Sequence, residues 1–212
     1  TVHMAFDVEK IRKDFPILSR QVYQHPVAYL DNGATTQKPI QVIETVRRYY
    51  EEEIASIHRG IHYLSEQSTE TYEKARETVR SFLNAASVNE IIFTSGATGS
   101  INAIAFSFGE KYIKPGDEVI CTRDLYGGTY RIMTRIYNGF GIKFHFVNMT
   151  NAEDIEPLIN HKTKLIWIET PSNPLLNIID IQKVCDIAMH HEIKVAVDNT
   201  FATPCLQLPL DL

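Results

Sequence analysis

Asp198 ends the run Lys194-Val-Ala-Val-Asp198, whose small apolar residues have the character of a strand in a parallel sheet. A carboxylate there is costly unless a cation or hydrogen-bond donor faces it. The carboxyl ends of such strands are also where open α/β sheets hold ligands. An Asp that merely caps a loop or helix is the plainer account of one such residue. Three other segments just past apolar runs bear on the choice. Thr94-Ser-Gly-Ala-Thr-Gly-Ser100 precedes a helical pattern, so the N–H groups around Gly96, Ala97 and Thr98 could receive a phosphate, helped by the helix dipole. No Lys-Ser or Lys-Thr pair follows, so this is no nucleotide P-loop, and a tight turn with a hydroxyl cap fits as well. In Asp124-Leu-Tyr-Gly-Gly-Thr129, two glycines free the backbone to lay the Tyr126 ring against a planar ligand; a core tyrosine beside a turn is the alternative. In Glu169-Thr-Pro-Ser-Asn-Pro174, two prolines hold Asn173 as a fixed amide. Together these ends offer a phosphate cradle, a stacking ring, an amide and a carboxylate, the partners of a phosphorylated aromatic cation.

Two other segments carry polar chemistry without a decisive pattern. Asp31-Asn-Gly-Ala-Thr-Thr36 is rich in turn formers and hydroxyls, and reads as a plain loop or a substrate-facing one. His58, Arg59 and His62 could hold an anion, or could lie in a solvated connector.

Elements that could position these groups follow from periodicity. Asp7 to Phe15 reads as a short amphipathic helix stopped by Pro16, and Val27 to Leu30 as a short strand. Pro39 begins a helix to about Ile54, and a longer one with a charged outer face runs from about Glu66 to Leu83. From Glu90 strands and helices alternate. Strands are expected at Ile91–Thr94, Asp117–Cys121, Ile142–Val147, Thr163–Ile168 and the Lys194 run. Helices are expected at Ala97–Lys111, Thr129–Asn138, Ala152–Asn160 and Asp180–His191. That alternation means an α/β fold: a mainly parallel sheet with helices on both faces. The expected organisation is an expression scar at 1–4, an N-terminal segment at 5–60 and a cofactor-binding large domain at 61–212.

Composition narrows the classes. With 44% hydrophobic and 22% charged residues, the 212-residue chain is ordinary for a globular protein. A net charge of −5 without a basic run argues against nucleic acid or an anionic membrane as partner. No apolar stretch has transmembrane length and no secretory signal opens the chain, so a cytoplasmic location is expected. Cys121, Cys185 and Cys205 show no CxxC spacing, so neither a disulfide framework nor a metal site is expected.

Pyridoxal 5'-phosphate needs the partners that the strand ends supply: phosphate at a helix start, ring stacked, phenolic oxygen hydrogen-bonded, and pyridinium nitrogen paired with an acid. Residues from about 117 to 212, through DLYGGTYR, KLIWIETPSNP and VDNTFATPCLQLPLDL, resemble the cystathionine γ-lyase, methionine γ-lyase and cystathionine γ-synthase family of fold-type-I pyridoxal-phosphate enzymes. The resemblance implies that Tyr126 stacks on the cofactor, Asn173 contacts its phenolic oxygen, Asp198 pairs with its ring nitrogen, and Gly96 and Ala97 meet its phosphate. Residues from about 1 to 116, through FDVEKIRKDFPIL, YLDNGATTQKP, IHRGIHYLSEQST and NEIIFTSGAT, are similar to group II cysteine desulfurases of the iron–sulfur assembly type. That similarity implies Ala34 and Thr35 near the substrate and Thr98 in the phosphate cradle.

The departures are specific. A desulfurase would carry a His in place of the Tyr126 loop and an acidic residue in place of Gly99. The γ-family would carry a Tyr-x-Arg phosphate clamp where this chain has IHRGIHY. Neither half shows the family's Schiff-base lysine, so no catalytic residue is assigned, and the expectation is a chain truncated before it and without the small C-terminal domain. The resemblances imply a sulfur-containing amino-acid substrate and a homodimer or higher homo-oligomer. The leading expectation is a C–S lyase of transsulfuration type, in which the bound cofactor acidifies the amino acid's Cα–H. A cysteine desulfurase supplying sulfur for iron–sulfur clusters is the second. An inert chimeric or truncated scaffold that binds without turnover is the third.

Overall fold

A computed structural model describes residues 7–212, so the Thr1–Met4 segment read as an expression scar lies outside the described residues. The chain divides into two compact units, Thr1–Thr78 and Val79–Leu212.

In the first unit, helix α1 (Val8–Lys13) starts at Asp7, whose carboxylate accepts the Lys10 N–H at 3.0 Å, and ends before a 3-10 turn at Pro16–Ser19. The strand expected at Val27–Leu30 does not form. The chain instead pairs just before it, as a hairpin of β1 (Gln21–Val22) and β2 (His25–Pro26). The two-residue turn puts Tyr23 at φ 51° and Gln24 at φ 65°, the left-handed geometry of a primed hairpin turn, without the Gly or Asn that usually announces one. Helix α2 (Ile40–Arg48) continues through a wider π-type turn to Glu53, and α3 (Tyr63–Phe82) belongs to this unit as far as Thr78.

The second unit contains α4 (Ala97–Ile104), which runs through a π-type segment at Ala105–Gly109 into α5 (Glu110–Tyr112). It continues with β3 (Glu118–Thr122), α6 (Gly127–Arg135), β4 (Lys143–Val147), β5 (Thr163–Glu169), α7 (Ile181–His190), β6 (Lys194–Asp198) and α8 (Thr203–Leu206). The four strands form one parallel sheet in the order β4-β3-β5-β6. Ile91–Thr94, expected as a strand, pairs with no strand among the described residues. Ile91 has extended backbone, but a strand also needs a neighbouring edge to bond. Ala152–Leu158 is a 3-10 helix rather than an α-helix, consistent with Pro157 inside it, whose missing N–H cannot extend an α ladder.

Alternation along the strands makes two cores. Ile120, Ile166 and Ile168 face Ile155, Val184 and Ala188 on one side of the sheet. Val119, Cys121, Leu165 and Trp167 face Ile101 of α4 and Met133 of α6 on the other. Counting by twos from Leu165 and Trp167 brings Glu169, the last residue of β5, to the α4/α6 side. Asp198 is its register partner on β6, so both carboxyl groups leave the same face at the carboxyl end of the sheet. The outer edge of β6 has no strand partner among the described residues, so Val195–Asp198 are half-buried rather than buried.

At the opposite, amino end of the sheet, Glu118 is a buried structural junction. It meets His145 Nε2 at 2.7 Å, accepts from Asn160 Nδ2 at 3.0 Å, and lies 3.8 Å from Lys143 Nζ. The Asn160 and His145 hydrogen bonds hold its carboxyl below the usual range.

Candidate functional site

Glu169 is where three of the four predicted ligand-binding segments meet. Its Oε2 accepts the main-chain N–H of Tyr126 at 2.8 Å, and the Asn173 main chain donates to the same carboxyl. Asp198 lies beside it on the neighbouring strand. Glu169 is only 5% exposed, and burial pushes its carboxyl up to about 7. The two main-chain donors pull the other way, while the Asp198 carboxylate pushes further up. Among the described residues no cationic side chain is paired with either carboxyl group. Asp198 Oδ1 accepts the Thr200 N–H at 3.1 Å and the Thr200 hydroxyl, which fixes its orientation.

Tyr126 is the N-cap of α6 and 44% exposed, so its ring is available to a ligand. The glycines after it serve a more particular purpose than backbone freedom. A Cβ on Gly128 would lie 2.5 Å from Tyr126 Cε1, so the missing side chain is the space in which the ring lies. A Cβ on Gly127 would meet nothing within 4 Å. The loop carrying Asn173 is tied down at both ends. The Ser172 hydroxyl accepts the Asn177 N–H at 3.0 Å, Asn177 Nδ2 donates to Asp124 at 2.6 Å, and the Thr170 hydroxyl accepts the Ile179 N–H at 2.9 Å. The Tyr126 and Asn173 loops are thus bonded both through Glu169 and through Asp124–Asn177.

Gly96 caps α4 at φ +97°, ψ 178°, a conformation that an L side chain rarely adopts, and it offers no capping side chain. The N–H groups of Ala97, Thr98 and Gly99 have no acceptor among the described residues. Behind them the Thr94 and Ser100 hydroxyls bond each other at 2.7 Å, which braces the turn. Three free N–H groups at an uncapped helix start suit a phosphate, and two carboxyl groups without a counter-ion suit a cationic ring, with an exposed aromatic beside them. The donor set therefore fits pyridoxal 5'-phosphate.

The other candidates have local partners. Ala34 and Thr35 belong to the first unit, where both N–H groups turn back on the Asp31 carbonyl and Tyr29 Oη donates to the Thr35 carbonyl at 2.6 Å. His58 pairs with Glu73 at 3.1 Å and its N–H bonds the Thr69 hydroxyl, while His62 Nδ1 accepts the Ser65 N–H at 3.4 Å. These bonds tie a connector to α3. Lys194 begins β6 and Asp198 ends it, so the two are separated by roughly 13 Å of strand. A separate apolar cavity of about 450 Å³, lined by Ile101, Phe108, Met133, Phe144 and Trp167 among others, includes none of the predicted ligand-binding residues.

Glu169 was legible only as the first letter of a proline-rich motif. The signal that finds it is strand parity, which sends an acidic residue to the face that already carries Asp198. Gly128 as the room for an aromatic ring has no signature in sequence.

Comparison with known proteins gives the family and the fold. The aminotransferase class-V family model matches residues 28–211. The chain is 39% identical over 211 residues, 97% of its length, to a probable cysteine desulfurase of Staphylococcus aureus, of which it covers 51%. The apo structure of a cysteine desulfurase from Thermococcus onnurineus aligns with a TM-score of 0.77 at 30% identity, over 90% of this chain and 47% of that one. The cysteine desulfurase CsdA from Escherichia coli aligns with a TM-score of 0.77 at 25% identity, over 94% of this chain and 51% of that one. The chain thus spans about half the length of the curated relatives it matches. Proteins of this family depend on pyridoxal 5'-phosphate. The chain belongs to the aminotransferase class-V family and has the α/β large-domain fold of the fold-type-I pyridoxal-phosphate enzymes.

Proposed function

We propose that this chain supplies the cofactor-holding large domain of a cysteine desulfurase, acting in the cytoplasm as a homodimer or larger homo-oligomer. The observation that carries the substrate assignment is the 39% identity to a probable cysteine desulfurase across 97% of the chain. The cofactor assignment rests on the strand-end constellation. In this reading Ala97, Thr98 and the Gly96 turn hold the phosphate through main-chain N–H groups. Tyr126 covers one face of the ring, Asn173 meets the phenolic oxygen, and Asp198 keeps a proton on the ring nitrogen. When bound, the cofactor supplies an electron sink for the bonds at the amino acid's Cα. The chain's residues orient the ring, hold its charge and shield one face from water.

A C–S lyase of the transsulfuration type is the second reading, favoured by one feature: an aromatic Tyr126, with its space kept by Gly128, where a desulfurase would carry a His. Stable phosphopyridoxyl amino acids distinguish the two readings without requiring turnover. The desulfurase reading expects phosphopyridoxyl-cysteine to bind more tightly than phosphopyridoxyl-cystathionine in a calorimetric titration. The reverse order would move the assignment to the lyase. The described lysines at strand starts, Lys143, Lys164 and Lys194, lie at the end of the sheet opposite Asp198. The purified chain given pyridoxal 5'-phosphate is therefore expected to bind without releasing sulfide from cysteine above the free-cofactor background.

A further inference from the structure

We propose that Glu169 is a positioning residue that exchanges a proton with solvent when a cationic ring binds beside Asp198, and in doing so tightens its hold on the Tyr126 main chain. The proposal rests on the cofactor reading above and goes beyond it, since no ligand atom is assigned to Glu169.

The surroundings of Glu169 define its options. β6 contributes the Asp198 carboxylate, and the N-terminus of α6 contributes the Tyr126 N–H at 2.8 Å. The loop after β5 contributes the Asn173 main chain. β3 contributes the Thr122 hydroxyl, which accepts the N–H of Glu169 itself at 3.2 Å. Asp198 is the one titratable group acting on Glu169, and no cation among the described residues balances the pair. Burial and that neighbour leave the carboxyl titrating at about 7, so the free chain at neutral pH holds it partly protonated. Burial is the larger cause of that rise and the Asp198 charge the smaller. A pyridinium placed at Asp198 offsets the smaller one and adds a positive charge beside the pair, which shifts Glu169 toward its carboxylate and releases part of its proton to solvent. The resulting carboxylate is the stronger acceptor for an N–H at a helix start. Ring binding and fixation of the Tyr126 backbone are thereby coupled.

The test is carried out on the 212-residue chain with pyridoxal 5'-phosphate, by calorimetry at pH 7 in buffers of different ionisation enthalpy, for wild type and Glu169→Gln. The cofactor's own titrations are common to both proteins. The expected result is a measurable fraction of a proton, up to about half, released by wild type beyond that released by Glu169→Gln. Equal proton counts with saturable binding in both would overturn the proposal while leaving the cofactor reading intact. No saturable binding in either would remove the cofactor reading and this inference with it. Carboxyl ¹³C NMR of the wild-type chain gives the same decision if the variant fails to fold. One Glu signal should titrate near pH 7 in the free chain and move toward the ionised shift on cofactor addition. Only ordinary titrations, unchanged by cofactor, would overturn the proposal.

Discussion

Replacing Gly128 by Ala separates the position of the Tyr126 ring from the stability of the helix that carries it. Gly127 and Gly128 are the first two residues of α6, and neither lies in the left-handed region. An Ala at either site should stabilise the fold by about 0.5 kcal/mol through the unfolded chain. The two sites differ in what the new methyl meets: nothing within 4 Å at Gly127, and the Tyr126 ring edge at 2.5 Å at Gly128. Because that ring is 44% exposed, it can swing away without breaking the core. The cost therefore falls on the ligand. A well-placed stacking partner contributes about 0.5–1.5 kcal/mol, so Gly128→Ala should weaken pyridoxal 5'-phosphate by roughly 3- to 10-fold. Gly127→Ala should leave affinity unchanged. Tyr126→Ala should match or exceed the Gly128→Ala loss, and Tyr126→Phe should cost little. Fluorescence-monitored titrations of the four variants, with thermal melts as a folding check, read all of this. Equal affinity in Gly127→Ala and Gly128→Ala would refute the claim that the ring's present position serves the ligand.

Asp198→Asn keeps an acceptor for Thr200 but removes the charge that the proposed function sets against the ring nitrogen. A charge-assisted hydrogen bond contributes about 1.5–3 kcal/mol, so affinity should fall by roughly 10- to 100-fold, and an unchanged affinity would take Asp198 out of the site. Ile166, fully buried between Ile120, Ile168 and Val184, should cost about 3 kcal/mol on replacement by Ala, read as a lower urea midpoint. The two buried Glu residues should respond to pH with opposite signs. Glu169 holds its proton more tightly folded than unfolded, so its contribution is full below about pH 4.5 and is lost as pH rises through about 7. Allowing for solvent screening, that is a loss of about 2 kcal/mol which Glu169→Gln should abolish in melts across that range. Glu118 binds its proton more weakly folded, so its contribution is present above about pH 4.5 and disappears as pH falls through its lowered value. The acid-side loss should be shallower in Glu118→Gln.

The legibility of this chain follows what each feature depends on. β3 and β5 read directly because both of their faces are buried, which makes Val119–Cys121 and Leu165–Ile168 unbroken apolar runs. Asp198, Asn173 and Tyr126 read as ligand groups because each follows such a run, and the parallel topology sends strand ends to one side. Ile91–Thr94 carries the same local pattern, yet whether it pairs depends on a neighbouring edge that local sequence does not specify. The Tyr23–Gln24 turn was hidden because it adopts left-handed geometry with residues that do not advertise it. Glu169 needed both the strand's parity and the register with β6, and Gly128 needed the ring's rotamer. These are properties of packing rather than of local pattern.

The central claim is that the α4 start, Tyr126 and Asp198 hold one phosphorylated aromatic cation. It is tested most directly by ¹H–¹⁵N NMR of the chain during titration with pyridoxal 5'-phosphate. The account predicts saturable shifts, with one common midpoint, of the Ala97, Thr98 and Gly99 amides, which have no acceptor among the described residues, together with those of Tyr126 and Asp198. Saturable shifts that bypass those amides, or none at millimolar cofactor, would contradict it.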